Sequence, residues 1–135
     1  MNLVEKLLAL DNGEIEEIPT KTVISKRLTA LFGEETKVTL QAVHPESYQE
    51  MAAELYDDEG NAQIEKSYSV NARIAAAGIV EPSLKDADLM KKLGVASPAD
   101  AAKKLFKGEV NAIADIIADL TGYTGIKESD EAIKN

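Results

Sequence analysis

The sequence predicts an α+β chain, mostly α, with an N-terminal β-hairpin or small antiparallel sheet packed on a C-terminal bundle of short helices. Three observations predict it. Helix start and stop signals recur at short intervals between Asn71 and Thr124. The apolar residues between those signals recur at helical spacing. Ahead of them, Thr36 to Val43 alternates strand formers with polar residues. The 135 residues are expected to form a single domain. Within it, 1–43 would be the N-terminal helix and β-rich part, 44–123 the helical part and 124–135 a polar tail. A chain of this length buries roughly two-thirds of its unfolded surface.

Taken in order, Asn2 to Leu10 can form a short helix with Leu3, Leu7 and Leu8 on one side, ended by Asp11, Asn12 and Gly13. From Glu14 the character changes. Thr20, Thr22, Val23 and Ile24 favour a strand, and Pro19 places it at a sheet edge. Thr29 to Glu35, with Gly33 and an acid pair, suits a turn. Thr36 to Val43 sets Val38, Leu40 and Ala42 against Lys37, Thr39 and Gln41, the pattern of a half-buried strand. Ile15 to Val43 therefore reads as a hairpin, with room for a third short strand, and its apolar face must lie on the helices.

Pro45 opens a helix to about Tyr56 that turns Tyr48, Met51, Ala52 and Leu55 inward, and Asp57–Asp58–Glu59–Gly60 breaks it. A second helix, from about Asn61 to Ala77, uses Ile64, Tyr68, Ile74 and Ala75. Pro82 lacks an amide donor and keeps Glu81 out of helical angles, so this helix ends near Gly78. Ser83 begins the next, with Asp86 near its positive end, Leu84, Leu89, Met90 and Leu93 inward, and Gly94 as its stop. Ser97 and Pro98 start another, built on Ala101, Ala102, Leu105 and Phe106 and closed by Lys107–Gly108. The last runs from about Glu109 to Leu120. Val110, Ile113, Ile117 and Leu120 share one face, Glu109, Asp115 and Asp119 face largely away, and Gly122 stops it.

Composition narrows the functions. Aromatic residues make up only 4%, so Leu, Ile, Val and Ala must fill the core, and modest stability is expected. Fifteen basic against 24 acidic residues leave a net charge of −9, which argues against nucleic acid and against an anionic membrane surface as partners. The charge serves solubility, or presents an acidic face to a protein. With no cysteine, disulfides and thiolate chemistry are excluded. No apolar run approaches membrane-spanning length and the first ten residues lack a secretory pattern, so a cytoplasmic location is expected.

No catalytic, cofactor-binding or metal residue is assigned. His44, the only histidine, precedes a proline at an element boundary, where turn chemistry suffices. In the acidic run, a calcium loop with glycine at its sixth position would put Leu55 first, where a carboxylate must sit. A phosphate-cradling glycine loop and a Ser–His–Asp set are both missing, so enzymatic activity is not expected. Lys21, Lys26, Arg27 and Lys37 form one basic patch on the predicted hairpin. It guards an edge strand against aggregation, or it forms a contact surface between copies of this protein.

The stretch from Gly78 to Val95 and that from Lys103 to Tyr123 go further. Val80–Glu81–Pro82, the acidic Leu-containing helix ending at Gly94–Val95, the step Leu105-x-x-Gly108–Glu109 and the final Leu120-x-Gly122–Tyr123 resemble the XkdN-like tail assembly chaperones of tailed bacteriophages and defective prophages. The likeness covers most of the chain, with specific motifs in about the last third, each a helix boundary rather than a chemical site. It implies a non-catalytic chaperone, without cofactor, that binds the tape measure protein in the infected cell, helps recruit tail-tube subunits and is absent from the finished virion. Helix-in-groove contact by several copies of moderate affinity suits that role. The tail-tube protein, a frameshifted longer form of the chain and further copies of itself are additional candidate partners; the protein-binding residues are unknown at this stage. The longer form is suggested because Ile133–Lys134–Asn135 can be encoded as ATA-AAA-AAT, which contains a slippery heptamer. Alternative readings are a structural tail or baseplate component of the virion, and a small acidic regulator.

Overall fold

The computed structural model describes residues 2–123, together with Ile126 and Ser129. The rest of the expected polar tail, including Ile133–Lys134–Asn135, lies outside the described residues. The fold is α+β and mostly α, as the patterning predicts. Three antiparallel strands, β1 (Thr20–Ile24), β2 (Lys37–Gln41) and β3 (Ile79–Glu81), pair in the order β1-β2-β3. The described helices are α1 (Leu3–Leu8), α2 (Asn12–Ile15), α3 (Lys26–Phe32), α4 (Pro45–Ala53), α5 (Ser67–Gly78), α6 (Ala87–Leu93), α7 (Pro98–Phe106) and α8 (Glu109–Thr121). None of them is long and apolar enough to cross a membrane.

Strand β2 is the centre of the sheet. Val38 and Leu40 are completely buried between it and α8, while Lys37, Thr39 and Gln41 alternate away, as the period-two pattern requires. β1 is an edge strand, consistent with Pro19, and pairs Val23 with Val38 and Ile24 with Lys37. The connection between them differs from the expected turn: Lys26–Phe32 is a helix, capped by the Ser25 hydroxyl on the Leu28 amide (3.0 Å) and closed by Gly33 at φ 72°. A serine, a helix-compatible run and a glycine make a start-and-stop pair. The β-branched residues just before it obscure that pair.

The third strand comes from the far side of the helical part. Helix α5 ends at Gly78, and Ile79–Glu81 then pairs with β2, Thr39 opposite Glu81 and Leu40 opposite Ile79, with an irregularity between. Pro82 follows through a cis peptide bond. The sheet is thus completed by a segment far along the chain from the strand pair that the sequence marks.

Helix boundaries agree with most of the signals. Gly94 and Gly122 take left-handed angles at the ends of α6 and α8, and Ser97 caps α7 through the Asp100 amide at 3.1 Å. Two starts are displaced. Asp86, not Ser83, caps α6, accepting the Leu89 amide at 2.9 Å, while Ser83 only contributes a carbonyl to the preceding turn. Helix α5 begins at Ser67, because residues before it form a bridge (Tyr56 with Ala62) and a short 3-10 turn, Ile64–Lys66. Ile64, expected to point inward, is therefore 71% exposed. At the N-terminus, Asp11 opens the extra short helix α2 instead of ending the segment.

The core lies where α5, α7 and α8 meet the sheet. Ala72 and Ala75 of α5 and Ala101 and Ala102 of α7 are fully buried, or nearly so, and alanines there let helices approach closely. Phe106, Val110 and Ile117 supply the bulk. Tyr68, Met51 and Leu84 pack around this centre.

Candidate protein-binding surfaces

Helix α3 buries only Leu28, yet its first half is tied at three points. At its start, the Glu109 carboxylate accepts the Ser25 hydroxyl at 2.7 Å and the Lys26 amide at 2.9 Å. At its middle, the Thr29 hydroxyl accepts the Thr36 amide at 3.0 Å. Between them, Arg27 donates Nε to the Leu105 carbonyl at 2.8 Å, tying α3 to α7. The helix is thus tied to α7 and α8 while Leu31 and Phe32 stay 62% and 65% exposed.

Each flank of α3 borders a recess. One, of about 630 Å³, has Ala30 and Leu31 in its lining with Lys26, Arg27, Lys107 and Glu109 around them. The other, of about 260 Å³, lies between α3 and α6 and is lined mainly by Leu28, Phe32, Pro82, Leu89 and Leu105, with Lys37 and Glu81 at its rim. The predicted basic patch is divided between them. Lys26 and Arg27 border the first recess, Lys37 the second, and Lys21 neither; Lys21 stands opposite Leu40 on the edge strand and is exposed. Sequence reasoning missed Lys107, which sits at φ 52° at the end of α7 and reaches the first recess from another element.

A second exposed apolar series runs through the N-terminal segment. Leu3, Val4, Leu7, Leu8, Ile15 and Ile18 are between 49% and 80% exposed. Where the segment joins the body, Ile15, Ile18, Val43 and Leu120 border a recess of about 510 Å³.

The remaining sequence candidates have local roles. His44 caps α4, its Nδ1 accepting the Glu46 amide at 3.2 Å. Asp57 accepts the amides of Glu59 and Asn61, both at 2.9 Å, and Gly60 takes φ 85°, so the acidic run is a side-chain-stabilised turn. Among the described residues, no group of three or more acidic, histidine or cysteine side chains is placed to hold a metal. A polar recess beside this turn holds the exposed ion pair of Arg73 with Glu54.

Three of the motif residues, Leu105, Glu109 and Tyr123, make tertiary ties. Leu105 and Glu109 hold α3, as described. Tyr123 donates its hydroxyl to the Pro45 carbonyl at 3.0 Å, and its ring lies 4.5 Å from that of Tyr48. Burial, with Tyr123 and Asp115 nearby, raises the Tyr48 pKa above the ordinary tyrosine value.

No curated protein matches the chain. One crystal structure, of the protein yqbn, is similar at a TM-score of 0.54 and 18% identity, over 78% of this chain and 88% of that one, a likeness of fold. The family model of the phage XkdN-like tail assembly chaperone protein matches residues 4–134. The chain belongs to that family of tail assembly chaperones.

Proposed function

We propose that this chaperone binds the tape measure protein in the host cytoplasm, keeps it soluble while tail-tube subunits are recruited, and leaves before the virion is complete. The observation that carries the reading is that α3, tied by hydrogen bonds to Glu109 and Leu105, leaves Phe32 bare beside an apolar groove. A tape measure protein is a long helical chain with apolar stripes. The groove between α3 and α6 offers one such stripe a place to bury aliphatic side chains, by helix-in-groove contact. The single groove is small, so each contact is weak and reversible, and several copies on one client add avidity. Nothing in this role requires catalysis.

Co-expression of the tape measure protein with the Phe32→Glu variant tests the groove. Phe32 is exposed, so the fold tolerates the change, and the partner's soluble fraction falls severalfold relative to wild type. An unchanged soluble fraction removes this groove from the role. Detection of the chain in purified virions at tail stoichiometry would instead favour a structural tail component.

A further inference from the structure

Residues 2–18 form an arm in which every residue is exposed. Helix α1 has a complete capping box: Asn2 accepts the Glu5 amide at 2.8 Å and the Glu5 carboxylate accepts the Asn2 amide at 3.3 Å. Caps alone do not make a six-residue helix stable in water, so α1 needs a surface to pack on. Its Leu3, Val4, Leu7 and Leu8 are uncovered, and Ile15 and Ile18 continue the series. An exposed apolar series of this length marks an interaction site. The arm is also acidic: Glu5, Asp11, Glu14, Glu16 and Glu17 stand against Lys6 alone.

The larger recess beside α3 has the opposite character. Ala30 and Leu31 provide an apolar wall, and Lys26, Arg27 and Lys107 stand around it. Its one acid, Glu109, is already held by Ser25 and the Lys26 amide. On a chain of net charge −9, this is a basic site next to exposed apolar side chains.

We propose that the arm of one copy docks in this recess on a second copy, its aliphatic face covering Leu31 and its acids facing Lys26 and Lys107. The chain's own recess is poorly placed for its own arm. The arm enters β1 at Thr20 and α3 leaves it after Ile24, at opposite ends of one strand about 13 Å apart, and the arm's own Ile15 and Ile18 border the other recess, with Val43 and Leu120. Two bodies of like charge repel overall, so the contact depends on this local complementarity and weakens with salt. The tape measure groove is on the other flank of α3, so this inference stands or falls separately from that reading.

Sedimentation of the full chain over a range of concentrations, at low and high salt, tests it. The average mass rises above that of one chain at low salt and falls back as salt is added. Two full-length variants reverse the charges: Lys26→Glu with Lys107→Glu in the recess, and Glu14→Lys with Glu16→Lys and Glu17→Lys in the arm. All these side chains are exposed or at the surface, and circular dichroism confirms that each variant is folded. Each alone associates at least about tenfold more weakly than wild type. Their equimolar mixture regains association, because a basic arm then meets an acidic recess. A wild-type chain that stays at monomer mass throughout, variants that associate like wild type, or a mixture that stays monomeric would each overturn the proposal.

Discussion

The Ser25 hydroxyl donates to the Glu109 carboxylate at 2.7 Å, joining residues 84 positions apart. Two helices begin at this point, α3 behind Ser25 and α8 at Glu109, and a carboxylate is favoured at the positive end of each. The Gly108–Glu109 step of the family motif is therefore a clamp that orients α3. Glu109→Ala removes two hydrogen bonds next to a serine that is 3% exposed, and costs about 1–3 kcal/mol. Urea unfolding measures this loss. An unchanged midpoint contradicts the clamp.

Helices α5 and α8 meet closely at Gly78. A Cβ there would lie 2.7 Å from Ile117 Cγ1 and 2.9 Å from the Gln41 carbonyl oxygen, so Gly78 sits beneath both a core side chain and the sheet. Gly78→Ala costs about 1–3 kcal/mol from overpacking, although alanine is the better helix former. A lowered melting temperature is expected. An equal or higher one would mean that α8 shifts without penalty.

The displaced start of α6 gives a paired comparison. Asp86 carries the cap, so Asp86→Ala destabilises by about 1 kcal/mol, whereas Ser83→Ala changes stability by less than about 0.5 kcal/mol. Chemical denaturation of the two variants side by side decides between the two starts. The reverse order would restore Ser83 as the cap.

Much of the fold was legible because its signals are local. Gly94, Ser97–Pro98 and Gly122 each act within one turn of themselves, and each boundary falls where such chemistry puts it. The alternation through Val38 and Leu40 likewise reports a face that is buried. What was hidden depends on distant partners. Ile79–Glu81 is a strand only because β2 is there to pair with it. Glu109 reads as a solvated acid on the outer face of α8 until α3 is placed beside it. Lys107 belongs to the basic surface only through the approach of α7 to α3. Phe32 was hidden for another reason: in sequence an exposed aromatic looks like a core one.

Tyr48 links stability to alkaline pH. Its pKa is raised in the folded chain, chiefly by burial, so the folded state holds the phenolic proton more tightly than the unfolded state does. Stability from this group is fully present below the unfolded value of about 10 and is lost as pH rises through the raised folded value. Tyr48→Phe removes that share. As pH rises above 10 the variant's melting temperature falls less steeply than the wild type's, and parallel slopes would contradict the assignment.

The client proposed for this chaperone is the tape measure protein. Co-expression of that protein with and without the wild-type chain, followed by size-exclusion chromatography of the soluble fraction, tests it most directly. The account predicts a tape measure protein that is insoluble alone, and soluble and co-eluting when the chain is present. A tape measure protein that stays insoluble beside the chain, or is soluble without it, would contradict the account.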